Sequence, residues 1–245
     1  MGLFDFFKRS GSDGPPSESA LRKHAARVAN KRAQGPDRWD SIQALARMGT
    51  PEAVEGLLAR FGYQTDPSIT DQEEKDAAFE AIIETGPKAI EPVKQALRTA
   101  ETIAWPLKML DRLLEPDEVI TELIGALSTM HLEYERDPER KLSLLSTLEE
   151  RRDPRIIEAA ARFLDDVNET ARFYAAGAIY AQGDADAVRP ALLVALGREE
   201  SARTRTRILE GFASRGWDVG ELREKLAKQL PAGFSIDAKG VVSKK

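Results

Sequence analysis

From residue 37 onward one arrangement recurs: a helical run ends in a Gly, Pro or Asp turn, and a second helical run follows at once. The turns lie in "MGTPEAVEGLL" (48–58), "TGPKAIEPVKQAL" (85–97), "LLEPDEVITELIGAL" (113–127), "RRDPRIIEAAARFL" (151–164), "QGDADAVRPALLVAL" (182–196) and "RGWDVGELREKL" (215–226). One aliphatic landmark in each second run gives Val54, Ile90, Val119, Ile157, Val188 and Leu222, separated by 36, 29, 38, 31 and 34 residues. An irregular period in the thirties is the signature of stacked helix pairs. A single pair cannot bury both faces, so it needs neighbours, and stacking builds a continuous core. No alternating β pattern interrupts the helical runs, which excludes α/β folds.

The stretch "FLDDVNETARFYAAGAIYAQGDADAVRPALLVAL" (163–196) resembles a HEAT repeat. Ala175, Ala176, Gly177 and Ala178 are small enough to admit a neighbouring helix, while Phe173, Ile179 and Tyr180 supply bulk. In HEAT repeats an Asp in the inter-repeat turn and an Arg six residues later form a ladder down the stack. Asp166 and Arg172 stand at that spacing, Glu199 and Arg205 repeat it with Glu for Asp, and Lys141 takes the Arg place one repeat earlier. The first three repeats lack a clear ladder. The likeness covers about 37–230 as architecture and about 160–216 as motif. It implies an all-α, right-handed α-solenoid of about six HEAT-like pairs with a short non-helical C-terminal extension. It further implies a protein partner on the concave face lined by the second helices, which begin near Pro51, Lys88, Asp117, Arg155, Ala187 and Val219.

The expected organisation runs from an amphipathic N-terminal segment (1–9), through a flexible Gly/Ser/Pro linker (10–18) and a basic helix (19–35) that Gly35-Pro36 stops, to the repeats (36–230). Residues 231–245 form a C-terminal tail or short hairpin over the last repeat. Two polar stretches break the regularity, "GYQTDPSITDQ" (62–72) and "HLEYERDP" (131–138), and such loops often carry function.

Composition narrows the chemistry. The chain contains no cysteine, which removes disulfides, thiolate zinc sites and cysteine nucleophiles and suits a reducing cytoplasm. No apolar run approaches the roughly 20 residues a membrane span needs. His24 and His131 fit no metal-ligand spacing and read as ordinary exposed histidines. Adjacent acidic pairs such as Glu73-Glu74 and Asp165-Asp166 diverge by about 100° on a helix and do not converge on a substrate. The expectation is therefore a non-enzymatic, cofactor-free scaffold or adaptor. The alternative is an enzyme or ligand-binding protein on a HEAT scaffold, similar to a DNA glycosylase or a bilin lyase. For the glycosylase likeness, Trp105 and Asp111 are the nearest pair, but Trp105 precedes a proline at a helix start and reads as structural. Nucleic acid is disfavoured by the acidic body. Residues 1–38 hold eight Lys or Arg against four acids, a local +4 in a chain of net −5. In "ARTRTRILEG", Arg203 and Arg207 share one helix face and read as solvent-facing.

The first stretch, "MGLFDFFKRS", completes the reading. On a helix, Leu3, Phe4, Phe6 and Phe7 fall within roughly 160° of arc, with Asp5, Lys8 and Arg9 opposite. So short a helix is marginal alone in water. Burying each apolar side chain contributes about 1.5–3 kcal/mol against about 1–2 kcal/mol per ordered residue. Nearby basic residues add about 1 kcal/mol each at an anionic leaflet. The stretch is similar to the amphipathic membrane-targeting starts of some bacterial cell-division regulators. Three destinations stay open for Leu3, Phe4, Phe6, Phe7, Lys8 and Arg9: an anionic membrane surface, the chain's own first repeat, or a protein groove. The expected location is cytoplasmic, peripheral at the inner face of the membrane if the first destination holds.

Overall fold

The computed structural model describes residues 17–183 and 185–244. They are mostly helical, as an all-α chain requires, with one small hairpin at the C-terminal end. The chain divides into two compact units, one up to Ala96 and the other from Leu97.

The first unit contains α1 (Glu18–Val28), α2 (Gly35–Met48), α3 (Pro51–Leu58) and α4 (Ser68–Thr85), and the chain leaves it within α5 (Ile90–Thr99). Two boundaries differ from the sequence reading. Ser17 and Glu18 belong to the helix rather than to the linker, because the Ser17 hydroxyl accepts the Ala20 N–H at 3.2 Å and caps α1. At its other end α1 stops at Val28, not at Gly35. Asn30 Oδ1 takes the Arg32 N–H at 2.9 Å and turns the chain. Gly35-Pro36 then opens α2 instead of closing α1. A proline fits a helix's first turn, where its missing N–H has no intrahelical partner to lose. α2 ends at Gly49, whose φ of +56° suits glycine, and Thr50 caps α3 by accepting the Ala53 N–H at 3.2 Å. Of the polar stretch 62–72, only the first half is loop. From Ser68 it is the opening turn of α4. α1 packs on α2 and α3, and α2 and α3 pack on α4, around fully buried Ile42, Leu45, Val54 and Ile82.

The second unit contains α6 (Ala104–Leu113), α7 (Pro116–Ser128), α8 (Glu139–Glu149), α9 (Arg155–Ala161), α10 (Glu169–Ala181), α11 (Arg189–Arg198), α12 (Ala202–Arg215) and α13 (Arg223–Ala227). Pro116 opens α7 inside a Glu115–Glu118 capping box, and Asn168 caps α10 through the N–H groups of Thr170 and Ala171. α10 packs on α8, α9 and α12, with Leu144, Leu148, Ile156, Phe163, Ala175, Ile179 and Phe212 fully buried. The close approach of α12 to α10 depends on Gly211, over whose backbone the Tyr180 ring lies. The chain's last segment is a hairpin, β1 (Phe234–Ile236) antiparallel to β2 (Val242–Lys244), in the register Phe234 to Lys244 and Ile236 to Val242. Asp237 Oδ1 accepts the N–H groups of Lys239 and Val241 at 2.8 Å and shapes its turn. β2 packs on α12, and the Val242 N–H reaches the Trp217 carbonyl at 3.3 Å. Among the described residues no helix is long and apolar enough to cross a membrane.

Candidate functional site

Two groups of charged side chains are built into this frame, one in each unit. In the first, the turn before α2, the start of α2, the 64–67 loop and the start of α4 surround an open cleft of about 1050 Å³. Its floor is a buried ionic network. Glu74 on α4 accepts Arg38 Nε at 2.9 Å and Arg60 Nε at 2.7 Å on one oxygen, and Arg38 Nη2 at 3.0 Å on the other. Arg60 Nη2 continues to Asp71 Oδ1 at 2.7 Å, and Lys75 Nζ meets Asp71 Oδ2 at the same distance. Three cations thus share two carboxylates.

Desolvation alone would discharge such groups, so their geometry must return the lost hydration. Burial pushes the Asp71 carboxyl up, yet hydrogen bonds from Lys75, Arg60 and the Thr65 N–H outweigh it and hold the group far below the usual carboxylate range. Hydrogen bonding to Glu74 raises Arg38 above its ordinary value. The remaining donors bind the surrounding chain: Arg38 Nη1 to the Ala33 carbonyl and Arg60 Nη1 to the Tyr63 carbonyl at 3.2 Å. The network therefore fastens both walls of the cleft to α4. Trp39, 41% exposed, stands at the mouth.

In the second unit the four residues singled out by spacing, Asp166, Arg172, Glu199 and Arg205, lie along one series of rungs. Arg172 Nη1 donates to the backbone carbonyl of Asp166 at 2.8 Å, and Arg205 Nη2 to that of Glu199 at 2.7 Å. The carboxylates face the other way. Asp166 pairs with Lys141 of the preceding helix pair at 2.8 Å, and Glu199 with Arg172 at 2.8 and 2.9 Å. Arg172 therefore holds both the turn before its own helix and the acid of the next turn, whereas among the described residues Arg205 bonds the carbonyls of Glu199 and Glu200 alone. Lys141 follows the same rule as Arg172, donating to the His131 carbonyl at 2.9 Å. Burial works against the charged form of Glu199, but Arg172 and the Ser201 N–H overcome it and keep the carboxyl below its ordinary value.

Spacing missed the first unit's network. Arg38 bonds a turn carbonyl five residues back, not six, and its acid, Glu74, sits inside a helix rather than in a turn. Of the two arginines read as solvent-facing, Arg203 is exposed and Arg207 half-buried, and both lie over the Phe173 ring, at 3.8 and 4.8 Å from its centroid. Their charges meet Glu169 and Glu149. Trp105 is half-buried with Lys108 over its ring, and Asp111 pairs with Arg151 at 2.9 Å, so the two do not form a site together. His24 is half-buried, with Nδ1 3.2 Å from Ser41 Oγ, and burial lowers its pKa. The exposed large apolar side chains of the second unit are Tyr134 and Val167 on neighbouring turns and Val194 on α11. The Val167 N–H bonds the Leu132 carbonyl at 3.1 Å, joining those two turns. Leu3, Phe4, Phe6, Phe7, Lys8 and Arg9 lie outside the described residues. No group of three or more His, Asp or Glu placed to hold a metal occurs among the described residues. Compared with protein-family models and with curated proteins, the chain matches none.

Proposed function

We propose that the chain is a non-enzymatic adaptor of HEAT-like helix pairs that binds a protein along the face of its second helices and is recruited weakly to an anionic membrane surface by residues 3–9. The observation that carries the reading is the pair of rungs Lys141–Asp166 and Arg172–Glu199. Each ties a first helix to the turn beginning the following pair, as a stack of repeats requires. The second helices are linked in their turn. Arg155 on α9 reaches Asp117 and Thr121 on α7, the latter at 2.9 Å. Val194 on α11 offers an apolar contact at 48% exposure. Support for an adaptor also comes from how the ionic side chains are used, since the networks of both units bond turns and helices together.

A second binding surface is favoured by one observation: Tyr134 and Val167, 82% and 60% exposed, stand on adjoining turns at the ladder's edge. Tyrosine is enriched among the anchors of protein interfaces. Affinity capture on the native chain, Val194→Glu and Tyr134→Ser distinguishes the surfaces by which variant loses a stoichiometric partner. Co-sedimentation with anionic and neutral vesicles, with and without residues 2–9, tests recruitment. Binding that falls with salt and is lost on deletion is expected.

A further inference from the structure

A second concavity lies in the first unit, away from the ionic network. α1 and α3 leave an open groove of about 880 Å³ between them. Its floor is apolar: Gly56 of α3 lies so close to α1 that a Cβ added there would meet Ala25 Cβ at 3.0 Å. Ala26 and Ala29 line the α1 wall in the open, and Leu21 stands near the end where the chain enters α1. The rim is acidic, with Glu18, Glu52 and Glu55 against Arg22 alone.

We infer that this groove is the docking site of the chain's own opening segment, Leu3 to Arg9. Three observations select that occupant. Ser17, the cap of α1, joins the segment to the groove's own wall. The eight residues 10–17 reach up to about 26 Å when extended, and the eleven residues of α1 are about 16 Å long, so the segment reaches every part of the groove. Chemistry matches on both counts: Leu3, Phe4, Phe6 and Phe7 suit the alanine-lined floor, and Lys8 and Arg9 suit the carboxylate rim. The docked segment is withheld from other surfaces, which makes the contact autoinhibitory. That consequence, unlike the docking itself, rests on the membrane reading above.

The chain's lack of cysteine makes the test direct. Full-length Phe6→Cys/Ala26→Cys, gently oxidised, forms an intramolecular disulfide at least tenfold faster than Phe6→Cys/Glu80→Cys, whose second site is exposed on α4 outside the groove. Equal rates, or only disulfide-linked dimers, overturn the docking. Deleting residues 2–9 from the native chain speeds amide exchange in α1 and α3. Unchanged exchange also overturns it. Vesicles of phosphatidylglycerol and phosphatidylcholine separate the two ideas. If the reduced double variant sediments with them and the locked one does not, docking withholds the segment. If the locked form sediments equally, the contact is not autoinhibitory. If neither form sediments, the membrane reading fails while the disulfide rates still decide the docking.

Discussion

Arg172 on α10 forks its Nε and Nη2 onto the two carboxylate oxygens of Glu199, at 2.8 and 2.9 Å, across 27 residues of chain. The Glu199 side chain is 2% exposed and the Arg172 side chain 21%. A bidentate pair of this kind fixes distance and orientation together. It sets the position of the turn before α12 against α10.

Truncating the acid isolates that contribution. Glu199→Ala is expected to destabilise the chain by about 1–3 kcal/mol, because Arg172 loses its charged partner but keeps some access to water. Urea unfolding of Glu199→Ala, Arg172→Leu and the double variant measures the coupling. The double variant is expected to cost clearly less than the two single changes together.

Removing Glu74 should be more damaging, since two fully enclosed guanidinium groups converge on it. Glu74→Ala leaves Arg38 without its buried carboxylate and Arg60 with Asp71 alone, at a cost of about 3–5 kcal/mol. Hydrogen exchange locates the loss: amides of α2 and α4 gain exchange well before those of α8 and α10.

Acid should weaken the chain over a defined pH range. Asp71, Glu169 and Glu199 all have lowered pKa values: in each, burial opposes ionisation and hydrogen bonds from neighbouring donors outweigh it. A depressed folded-state pKa gives stability that is present above the unfolded value, near 4, and is lost as pH falls through the folded value. The urea midpoint is therefore expected to change little between about pH 7 and 5 and to fall steeply below about 4. Asp71→Asn and Glu199→Gln each start less stable at neutral pH and lose less on acidification.

Two glycines give opposite outcomes. A Cβ at Gly211 lands in the Tyr180 ring, whose hydroxyl is held 3.2 Å from the Ile208 carbonyl, so Gly211→Ala is expected to cost about 1–3 kcal/mol. Gly125 lies within α7 with nothing within 4 Å of an added Cβ. Gly125→Ala gains up to about 1 kcal/mol from helix propensity. Thermal melts of the two variants check both signs.

Much of this was legible because helix pairs are written locally. Turn residues such as Gly49, Thr50 and Pro51 act within a few positions, and the ladder residues 141, 166, 172, 199 and 205 repeat at a spacing the eye can follow. The α1 boundary was not legible, since Gly-Pro both ends and begins helices and the side-chain turn at Asn30 decides between them. The Arg38–Glu74–Arg60 network was hidden for a different reason. Its members are 36 and 14 residues apart in sequence and meet only when α2 and α4 pack. The contacts of Arg203 and Arg207 were hidden because the ring they lie over, Phe173, belongs to the preceding helix pair.

The adaptor reading is tested most directly by quantitative affinity capture on the native chain beside Val194→Glu. The expected result is one protein retained in near-equal molar amount by the native chain and lost from the variant, with both chains equally folded. No protein retained stoichiometrically by the native chain, or retention unchanged in the Val194→Glu and Tyr134→Ser variants alike, would contradict it.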